Sequence, residues 1–368
     1  MHLIGRYALV GVTHFLCTGL ALKVLSYILP CFLTCYYGCA AKFLMCAIVA
    51  QLTFGFTKKK FLSDKIQPDN RAVLITGCDS GFGLQLAKRL DKGGYHVFAS
   101  CLNPNGPGAD DLKKSCSKRL QIVEMDVTKD DSVKEAVNYV KDNLGTSELW
   151  AIVNNAGIQK GFITELTSIQ DFKDTMEVNA FGPVRVTKGF LPLLRQSRGR
   201  VINIASLAGR ISLPACAPYT MSKFACVAFS ESLRYDLDVW GVRVISIEPE
   251  FFQTDMTKVE NLRQRVDDTF ASIDDDVRED YGKKFIEDFR ARVNLMSASS
   301  KVYKVLNALE LAISLEHPSL VYRPCRNCIV AVLYRIFEYS PKVMQLLMVK
   351  FYFYITGFPK PKEADNNL

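Results

Sequence analysis

The chain contains 368 residues, of which 49% are hydrophobic and 23% are charged, a balance typical of a folded protein with a sizeable core rather than a disordered or collagen-like chain. The formal net charge is +8, but residues 1–65 hold seven Lys or Arg against one acid, so +6 of it lies there. A nearly neutral body excludes a protein that reads nucleic acid through phosphate contacts, because such proteins concentrate basic charge on the folded domain.

Cysteine and histidine indicate neither a disulfide framework nor a metal centre. The chain has twelve Cys, but disulfide-dense proteins are small secreted chains. Cys325 and Cys328 form a single CxxC pair without a second pair, and the four histidines stand far apart, at His2, His14, His96 and His317. The sequence therefore predicts free thiols and no metal site.

The first 60 residues are predicted to form a hydrophobic membrane anchor with a basic flank. Residues 3–56 are almost continuously apolar and exceed the roughly 20 residues that one membrane-spanning helix needs. One tilted span, two short spans and a re-entrant hairpin all fit this length. Because Lys58, Lys59 and Lys60 follow directly, the tendency of basic flanks to stay in the cytosol places the following domain on that side.

Residues 70–325 alternate short β-branched runs with amphipathic stretches. This alternation predicts an α/β domain, a Rossmann-type doubly wound parallel sheet with helices on both faces. The predicted strands are Ala72–Thr76, Tyr95–Ser100, Leu120–Met125, Leu149–Val153, Arg200–Ile204, Arg243–Ile247 and a last one near Ser319–Tyr322. The predicted helices include Phe82–Lys92, Asp131–Leu144, Ser168–Leu194 and Tyr219–Val239.

Two further segments accompany this pattern. Residues 256–300 are highly charged and are predicted to form surface helices inserted before the last strand. Residues 326–368 form a C-terminal tail whose apolar stretch is interrupted by four charged side chains, Arg335, Glu338, Lys342 and Lys350. Such interruption favours an amphipathic helix at a membrane interface over a spanning helix. Packing against the body or against a second subunit is the open alternative.

The first predicted strand runs into a glycine-rich turn. Thr76–Gly83 reads TGCDSGFG, with glycines at 77, 81 and 83, and a helix follows. Backbone without side chains can approach a pyrophosphate closely, and the first N–H groups of the helix point at the anion. The turn therefore predicts a dinucleotide site, although a tight turn that binds nothing can have the same sequence.

Further motifs follow in order along the chain. They are Asp126-Val127 after the third strand, Asn154–Gly157 (NNAG) after the fourth, Asn179 on the next helix, Ser206 after the fifth strand, and Tyr219 with Lys223 four residues later. Together with the glycine turn, this series resembles the short-chain dehydrogenase/reductase family. The resemblance covers residues 70–320 and points to the branch of membrane-associated retinol and 17-beta-hydroxysteroid dehydrogenases and D-3-hydroxybutyrate dehydrogenase.

Tyr219 and Lys223 are one helical turn apart, so their side chains share a face. The pKa of a tyrosine is about 10, and a nearby ammonium together with a positively charged nicotinamide is expected to lower that pKa toward neutrality. The phenolate can then accept the proton of an alcohol while a hydride leaves for the nicotinamide ring. Ser206 is predicted to hydrogen-bond the reacting oxygen, where charge develops.

The resemblance implies the remaining roles. The implied catalytic set is Asn179, Ser206, Tyr219 and Lys223. In this set Asn179 positions a water that relays protons from Lys223, and Lys223 also holds the nicotinamide ribose. The implied cofactor-binding residues are Thr76, Gly77, Ser80, Gly81, Phe82, Gly83, Asp126, Val127, Asn154, Ala156, Gly157, Tyr219, Lys223, Pro249 and Thr254.

One residue departs from the family pattern. Relatives carry Gly after the proline of the nicotinamide loop, whereas Glu250 follows Pro249 here. If the position requires a positive φ, a glutamate costs about 1 kcal/mol or more, and its carboxylate would approach the nicotinamide. The sequence thus predicts weakened cofactor affinity or altered turnover.

The end of the second strand selects between NAD and NADP. An acid there holds the 2′-hydroxyl of NAD, and an arginine accommodates the 2′-phosphate of NADP. Ser100–Asn103 contains neither. The absence of a nearby base, together with the cofactor that the related branch mostly uses, favours NAD over NADP.

The predicted substrate is a small lipophilic molecule. Six apolar residues flank the catalytic positions and are expected to line its pocket: Leu207, Ile211, Leu213, Phe251, Phe252 and Met256. The first hypothesis is a membrane-associated oxidoreductase for a steroid-type or retinoid-type secondary or allylic alcohol. D-3-hydroxybutyrate oxidation, with Arg210 as the candidate cation, and a weakly catalytic NAD-binding scaffold are the alternatives. The resemblance further suggests a homodimer at the endoplasmic reticulum membrane, facing the cytosol, with a mitochondrial membrane as the alternative.

Overall fold

The computed structural model describes residues 3–28, 39–293 and 298–362. The chain divides into two compact units, Met1–Gln67 with Ser314–Pro318 and Pro68–Ile313 with Ser319–Leu368.

The first unit contains two helices that pack on each other, α1 (Leu3–Ile28) and α2 (Cys39–Phe61). Their contact includes polar groups, since Thr53 Oγ1 lies 2.7 Å from Thr18 Oγ1 and 3.0 Å from His14 Nδ1. Within the part of the chain that the structure describes, no helix is long and apolar enough to cross a membrane, so the predicted spanning segment is not supported there. Residues 29–38 of the predicted anchor lie outside the described residues.

The second unit is built on a seven-stranded sheet in which all neighbouring strands are parallel. Its strands are β1 (Arg71–Ile75), β2 (His96–Cys101), β3 (Leu120–Glu124), β4 (Glu148–Asn154), β5 (Arg200–Ile204), β6 (Arg243–Ile247) and β7 (Val321–Tyr322). Their spatial order is β3-β2-β1-β4-β5-β6-β7. All seven predicted strands are therefore present, and the Rossmann-like parallel sheet is confirmed.

Six helices connect the strands and cover the sheet: α3 (Gly81–Lys92), α4 (Pro107–Ser115), α5 (Asp130–Asn143), α6 (Ile169–Met176), α7 (Gly182–Ser197) and α8 (Ala217–Asp238). The helix predicted over Ser168–Leu194 is divided into α6 and α7 by a π-helical turn, Glu177–Phe181. Pro183 in the first turn of α7 explains part of this division, because proline lacks an N–H donor and fits best in the first turn of a helix. Such π turns are frequent at functional sites.

The strand order places a crevice at one edge of the sheet. From β1 the chain proceeds outward through β2 and β3, and then returns to β4 on the other side of β1. In open parallel sheets, ligands bind outside the carboxyl ends of the strands where the order reverses in this way. The residues that follow β1 and β4 therefore face each other across the expected binding crevice.

The charged insertion forms α9 (Val259–Ala271) and α10 (Asp275–Val293), with a break at Gly282 (φ +77°). The sequence predicts surface helices here, whereas α9 and α10 also contribute buried side chains to a hydrophobic cluster. Their inner faces join Phe162 in a separate hydrophobic cluster that includes Phe270 and Phe289. The Phe162 and Phe289 rings meet edge to face with centroids 5.6 Å apart, so the insertion adds a second small core beside the sheet.

The end of the chain forms α11 (Tyr303–Ser314) before β7, and α12 (Cys328–Tyr339) and α13 (Lys342–Thr356) after it. Gln345 is buried at the turn between α12 and α13, and its Nε2 donates to the carbonyls of Phe337 (2.8 Å) and Ser340 (3.0 Å). The predicted amphipathic tail is thus a pair of helices. They expose many large apolar side chains: Ile329, Val332, Leu333, Ile336, Val343, Met344, Leu346, Leu347, Met348, Phe351, Tyr352, Tyr354 and Ile355.

Candidate active site

The glycine turn after β1 is packed too closely to accept side chains. A Cβ on Gly77, which has φ +68°, would lie 2.8 Å from Ala156 Cα, and one on Gly83 would lie 2.5 Å from the carbonyl oxygen of Gly77. Ser80 precedes α3 without capping it through its side chain, so the first N–H groups of the helix are left to bind another acceptor. This geometry fits the pyrophosphate of a dinucleotide.

A cavity of about 1440 Å³ extends from this turn along the carboxyl edge of the sheet to α12 and α13. It brings together twelve of the predicted cofactor-binding residues: Gly77, Ser80, Gly81, Phe82, Asp126, Val127, Ala156, Gly157, Tyr219, Lys223, Pro249 and Thr254. All six residues predicted to line an apolar pocket also border it.

The other predicted cofactor residues lie behind the cavity wall. Thr76 Oγ1 accepts from the backbone N–H groups of Asn155 (3.0 Å) and Ala156 (2.9 Å), which fixes the turns after β1 and β4 together. Asn154 is buried and donates to Asn203 Oδ1 (2.7 Å). The adjacent Asn155, which the sequence interpretation missed, borders the cavity and donates to the carbonyls of Thr76 and Gly77. Asn155 rather than Asn154 therefore shapes the crevice, because successive residues of an extended chain point to opposite faces.

Three of the four predicted catalytic residues, Ser206, Tyr219 and Lys223, border this cavity. Tyr219 and Ser206 share a side-chain hydrogen bond. Lys223 Nζ donates to the carbonyl of Ile204 (2.9 Å) and lies 5.6 Å from the centroid of the Tyr219 ring. The structure thus holds the ammonium beside the tyrosine ring, anchored on the end of β5.

Asn179 completes the group from the π-helical turn. Its Oδ1 accepts from the backbone N–H of Ile158 (2.8 Å), and its Nδ2 lies within 3.0 Å of both Ile158 O and Ser222 Oγ. A Cβ added to Gly157 would lie 3.3 Å from Asn179 Oδ1 and 3.7 Å from Lys223 Nζ. Asn179 is fully buried and fixes the loop after β4 against α8, next to the lysine.

The electrostatics of Tyr219 differ from the expectation that its pKa is lowered. Burial raises the pKa of the Tyr219 hydroxyl above its ordinary value, and this effect outweighs the lowering that the Ser206 hydrogen bond and the charge of Arg265 provide. Burial also lowers the pKa of Lys223. The protein's own groups therefore favour the neutral phenol, and the positive charge of an oxidised nicotinamide would act in the opposite direction.

Glu250 does not have the strained backbone predicted for it, and its carboxylate is bound by another residue of the chain. It is not among the three non-glycine residues of the described chain that have positive φ, so the expected backbone strain is absent. Its carboxylate accepts from the backbone N–H of Arg326 and from Arg326 Nε. Glu250 also borders the cavity, and the approach of its carboxylate to the nicotinamide stays a prediction. Through Arg326, Glu250 fixes the chain that leads into α12.

Arg210, the candidate cation for a substrate carboxylate, is already paired in the structure. Its guanidinium pairs with the fully buried Glu248 (2.7 Å) and with Glu231 (2.7 Å). Arg323 also donates to Glu248 (2.7 Å) and pairs with Glu338 on α12. This network joins the end of β6 to the C-terminal helices, and it leaves the charge of Arg210 already compensated.

Asp79 is a further residue that the sequence interpretation missed. It lies in the glycine turn and borders the cavity. Its two carboxylate oxygens accept from the backbone N–H groups of Leu102 and Asn103, each at 3.0 Å. A carboxylate from the glycine turn thus lies at the end of β2.

The chain is similar in sequence to known dehydrogenases. It is 38% identical to estradiol 17-beta-dehydrogenase 2 of Mus musculus over 81% of this chain and 78% of the relative. It is 38% identical to the mitochondrial D-beta-hydroxybutyrate dehydrogenase of Rattus norvegicus (73% and 80% of the two chains). It is 39% identical to retinol dehydrogenase 5 of Mus musculus (68% and 80%).

Solved structures show the same fold. A short chain dehydrogenase from Burkholderia cenocepacia in complex with NADP superimposes with a TM-score of 0.58 at 22% identity, covering 77% of this chain and 98% of that one. A short chain dehydrogenase/reductase from Burkholderia phymatum in complex with NAD gives 0.59 at 20% identity, covering 74% and 94%.

The family described as short chain dehydrogenase matches residues 71–265, more than half of the chain. The relatives and the matched family agree with the site geometry, and the protein is an oxidoreductase that acts on CH–OH groups with a nicotinamide dinucleotide. The chain belongs to the short-chain dehydrogenase/reductase family.

Proposed function

We propose that this protein oxidises a lipophilic secondary or allylic alcohol of the steroid or retinoid type, with NAD as the hydride acceptor. The observation that carries the proposal is the position of Tyr219 and Ser206. They lie in one cavity between the glycine turn and a wall of apolar side chains from the loops after β5 and β6 and from α12 and α13. An alcohol that fills the apolar part would present its hydroxyl to these two residues.

Each catalytic residue then has a distinct task. Tyr219 accepts the hydroxyl proton during oxidation and returns it during reduction. Ser206 donates to the substrate oxygen as negative charge develops there. Lys223, held by the Ile204 carbonyl, binds ribose hydroxyls. Asn179 keeps the loop after β4 and the lysine in place, and a bound nicotinamide supplies the hydride acceptor.

We propose NAD rather than NADP because of Asp79. Its carboxylate borders the cavity and binds the backbone at the end of β2, where the ribose 2′-hydroxyl of a dinucleotide is normally recognised. A carboxylate there accepts from a hydroxyl and repels a phosphate. The glycine turn, Asp126 and Val127 would contact the rest of the adenosine diphosphate.

Asp79→Asn is expected to weaken the preference for NAD. Loss of the charge should lower the ratio of the Kd for NADP to the Kd for NAD by about tenfold, because the 2′-phosphate is no longer repelled. Fluorescence titration of NADH and NADPH measures both constants. Asp111→Asn, which removes an exposed acid paired with Lys88, should leave the ratio unchanged, and an equal shift in both variants would contradict the assignment.

We also propose that α12 and α13 attach the protein to a membrane surface. Their exposed apolar side chains are accompanied by exposed Arg335, Lys342 and Lys350, a combination suited to the headgroup region of an anionic bilayer. A substrate dissolved in that bilayer would then be close to the apolar end of the cavity. The endoplasmic reticulum is the membrane we propose, with the mitochondrion as the alternative.

The double substitution Leu347→Glu and Phe351→Glu should reduce this attachment. Both side chains are exposed on α13, and charging them opposes insertion between headgroups and repels anionic lipid, so binding to vesicles of phosphatidylcholine and phosphatidylserine should fall about tenfold. Vesicle cosedimentation measures the effect. Val239→Glu, which charges an exposed apolar residue at the end of α8, is the matched control. Undiminished binding of the double variant would place the attachment elsewhere.

A substrate panel tests the proposed reaction. Sterols, retinoids, hydroxy fatty acids and 3-hydroxybutyrate should each be assayed with NAD and with NADP, following the absorbance of the reduced nicotinamide. We expect turnover of a large lipophilic alcohol with NAD and little turnover of 3-hydroxybutyrate. Activity restricted to 3-hydroxybutyrate would overturn the lipophilic substrate, and dinucleotide binding without any turnover would overturn the proposed enzyme activity.

A further inference from the structure

Arg265 lies on α9 and borders the cavity that contains Tyr219. Its Nη2 donates to the carbonyl of Met256 (3.0 Å), and its guanidinium lies over the Phe162 ring, 5.4 Å from the centroid. Its Nη1 is withdrawn from solvent and has no hydrogen-bond partner among the described residues. One nitrogen of the Arg265 guanidinium therefore lacks a hydrogen-bond acceptor among the described residues.

No acid of the described chain compensates the charge. Arg265 takes part in none of the ion pairs between described residues, whereas Arg290 on the neighbouring helix pairs with Asp267 (2.6 Å). The groups that interact electrostatically with Arg265 are the Cys216 thiol and the Tyr219 hydroxyl. Neither carries a compensating negative charge when protonated, so the structure keeps a partly buried guanidinium, without an ion pair among the described residues, at the same cavity as the candidate catalytic tyrosine.

Such an arrangement is unfavourable unless a ligand completes it. Buried cations are normally paired, and buried polar groups without partners are rare enough in folded proteins to require an explanation. A guanidinium matches a carboxylate particularly well, because two parallel N–H groups can donate to its two oxygens. The neighbouring aromatic and apolar walls would exclude water from that contact and strengthen it.

We infer that Arg265 selects an acidic substrate: a lipophilic hydroxy acid whose carboxylate binds Arg265 while its hydroxyl faces Tyr219. Arg265 and Tyr219 border the same cavity, so one substrate molecule can reach Arg265 with its carboxylate and Tyr219 with its hydroxyl. The apolar lining from α12 and α13 accommodates the rest of the chain. This inference rests on the proposed function, since it names the substrate class of the same site.

The test compares an acid with its uncharged ester. The probes are 3-hydroxydodecanoate and its methyl ester, which share the chain and the alcohol and differ in the charge. Their Kd values for the NADH-loaded enzyme are measured by calorimetry, and KM and kcat are measured separately. Wild-type enzyme should bind the acid at least about tenfold more tightly than the ester, as expected for a desolvated charge pair.

The variants separate a selective role from a structural one. Arg265→Met should raise the Kd of the acid to that of the ester and leave the Kd of the ester nearly unchanged. It should also raise KM for the acid more than it lowers kcat. Arg265→Lys should restore part of the preference. Arg263→Met, on an exposed position of the same helix, should behave as wild type, and the Kd for NADH should be the same in all variants.

Three outcomes would overturn the inference: equal binding of acid and ester by wild type, an equal loss for both probes in Arg265→Met, or weakened NADH binding in Arg265→Met. The last outcome would assign the arginine to the dinucleotide. Because binding is read without turnover, a protein that prefers the acid but oxidises neither probe nor any alcohol of the panel would refute the proposed function and leave the assignment of Arg265 standing.

Discussion

Replacing Tyr219 by phenylalanine is expected to lower kcat for alcohol oxidation by about 10²- to 10⁴-fold, the usual contribution of a general acid or base. The substitution removes one oxygen, and with it the hydrogen bond to Ser206. The Kd for NADH should change by less than about threefold, because the glycine turn and Lys223 do not depend on that oxygen. Steady-state rates and NADH titration measure the two effects.

The pH dependence should identify the same group. Oxidation needs the phenolate, so its rate should rise with pH until the pKa of Tyr219 in the complex is passed. Reduction needs the phenol, so its rate should fall over the same interval. Because burial raises the pKa of Tyr219 in the protein alone, the rise in oxidation should extend into the alkaline range, and bound oxidised nicotinamide should move it to lower pH.

Tyr235→Phe is the matched control, since Tyr235 lies on the same helix and is exposed. It should leave kcat, the pH profile and NADH binding at the wild-type values. If Tyr219→Phe retained wild-type turnover on the best alcohol of the panel, Tyr219 would be excluded as the proton acceptor. If it lost NADH binding and turnover together, the loss of rate would not report on proton transfer.

The sheet was predictable because the signal for each strand is local. Runs such as Ala72–Ile75 and Leu149–Val153 are apolar at successive positions, as required for strands buried on both faces. Placing Tyr219, Ser206 and Lys223 in one cavity was predictable for a related reason. The carboxyl ends of parallel strands meet at one edge of the sheet, so motifs that follow different strands come together.

Residues that act through distant partners were not predictable in this way. Glu250 accepts from Arg326, 76 positions later, and Asp79 binds the backbone of Leu102 and Asn103. Neither contact leaves a pattern in the neighbouring sequence, so Glu250 was predicted to be strained and Asp79 was overlooked. The pKa of Tyr219 was predicted to fall because of the adjacent ammonium and a bound nicotinamide, whereas in the protein alone burial raises it.

The C-terminal tail shows a different limit. Its apolar residues predict either burial against protein or exposure at an interface. Both occur within α12 and α13. Phe337 and Phe353 border the cavity and are partly buried, whereas Leu347 and Phe351 are exposed. A hydrophobic pattern alone does not specify which face meets protein, because apolar side chains suit a cavity wall, a core and a lipid surface equally.

Arg210→Met is expected to lower the free energy of unfolding by about 3 kcal/mol, the usual consequence of removing one partner from a buried ion pair. Glu248 is fully buried and accepts from Arg210 Nε (3.1 Å) and Nη2 (2.7 Å), from Arg323 and from Ser246. The variant leaves this carboxylate with fewer donors in a place that water does not reach. Urea denaturation measures the change.

Two further variants separate the cost of leaving Glu248 unpaired from the cost of losing an arginine side chain. Adding Glu248→Gln to Arg210→Met should recover part of the stability, because a neutral amide is less costly to bury than an unpaired carboxylate. Arg290→Met breaks a pair with Asp267 in which both side chains are about half exposed, so it should cost less than about 1 kcal/mol. Equal losses from Arg210→Met and Arg290→Met would mean that Glu248 remains fully compensated by Arg323. In that case the network would not depend on Arg210, whose charge would again be a candidate for binding substrate.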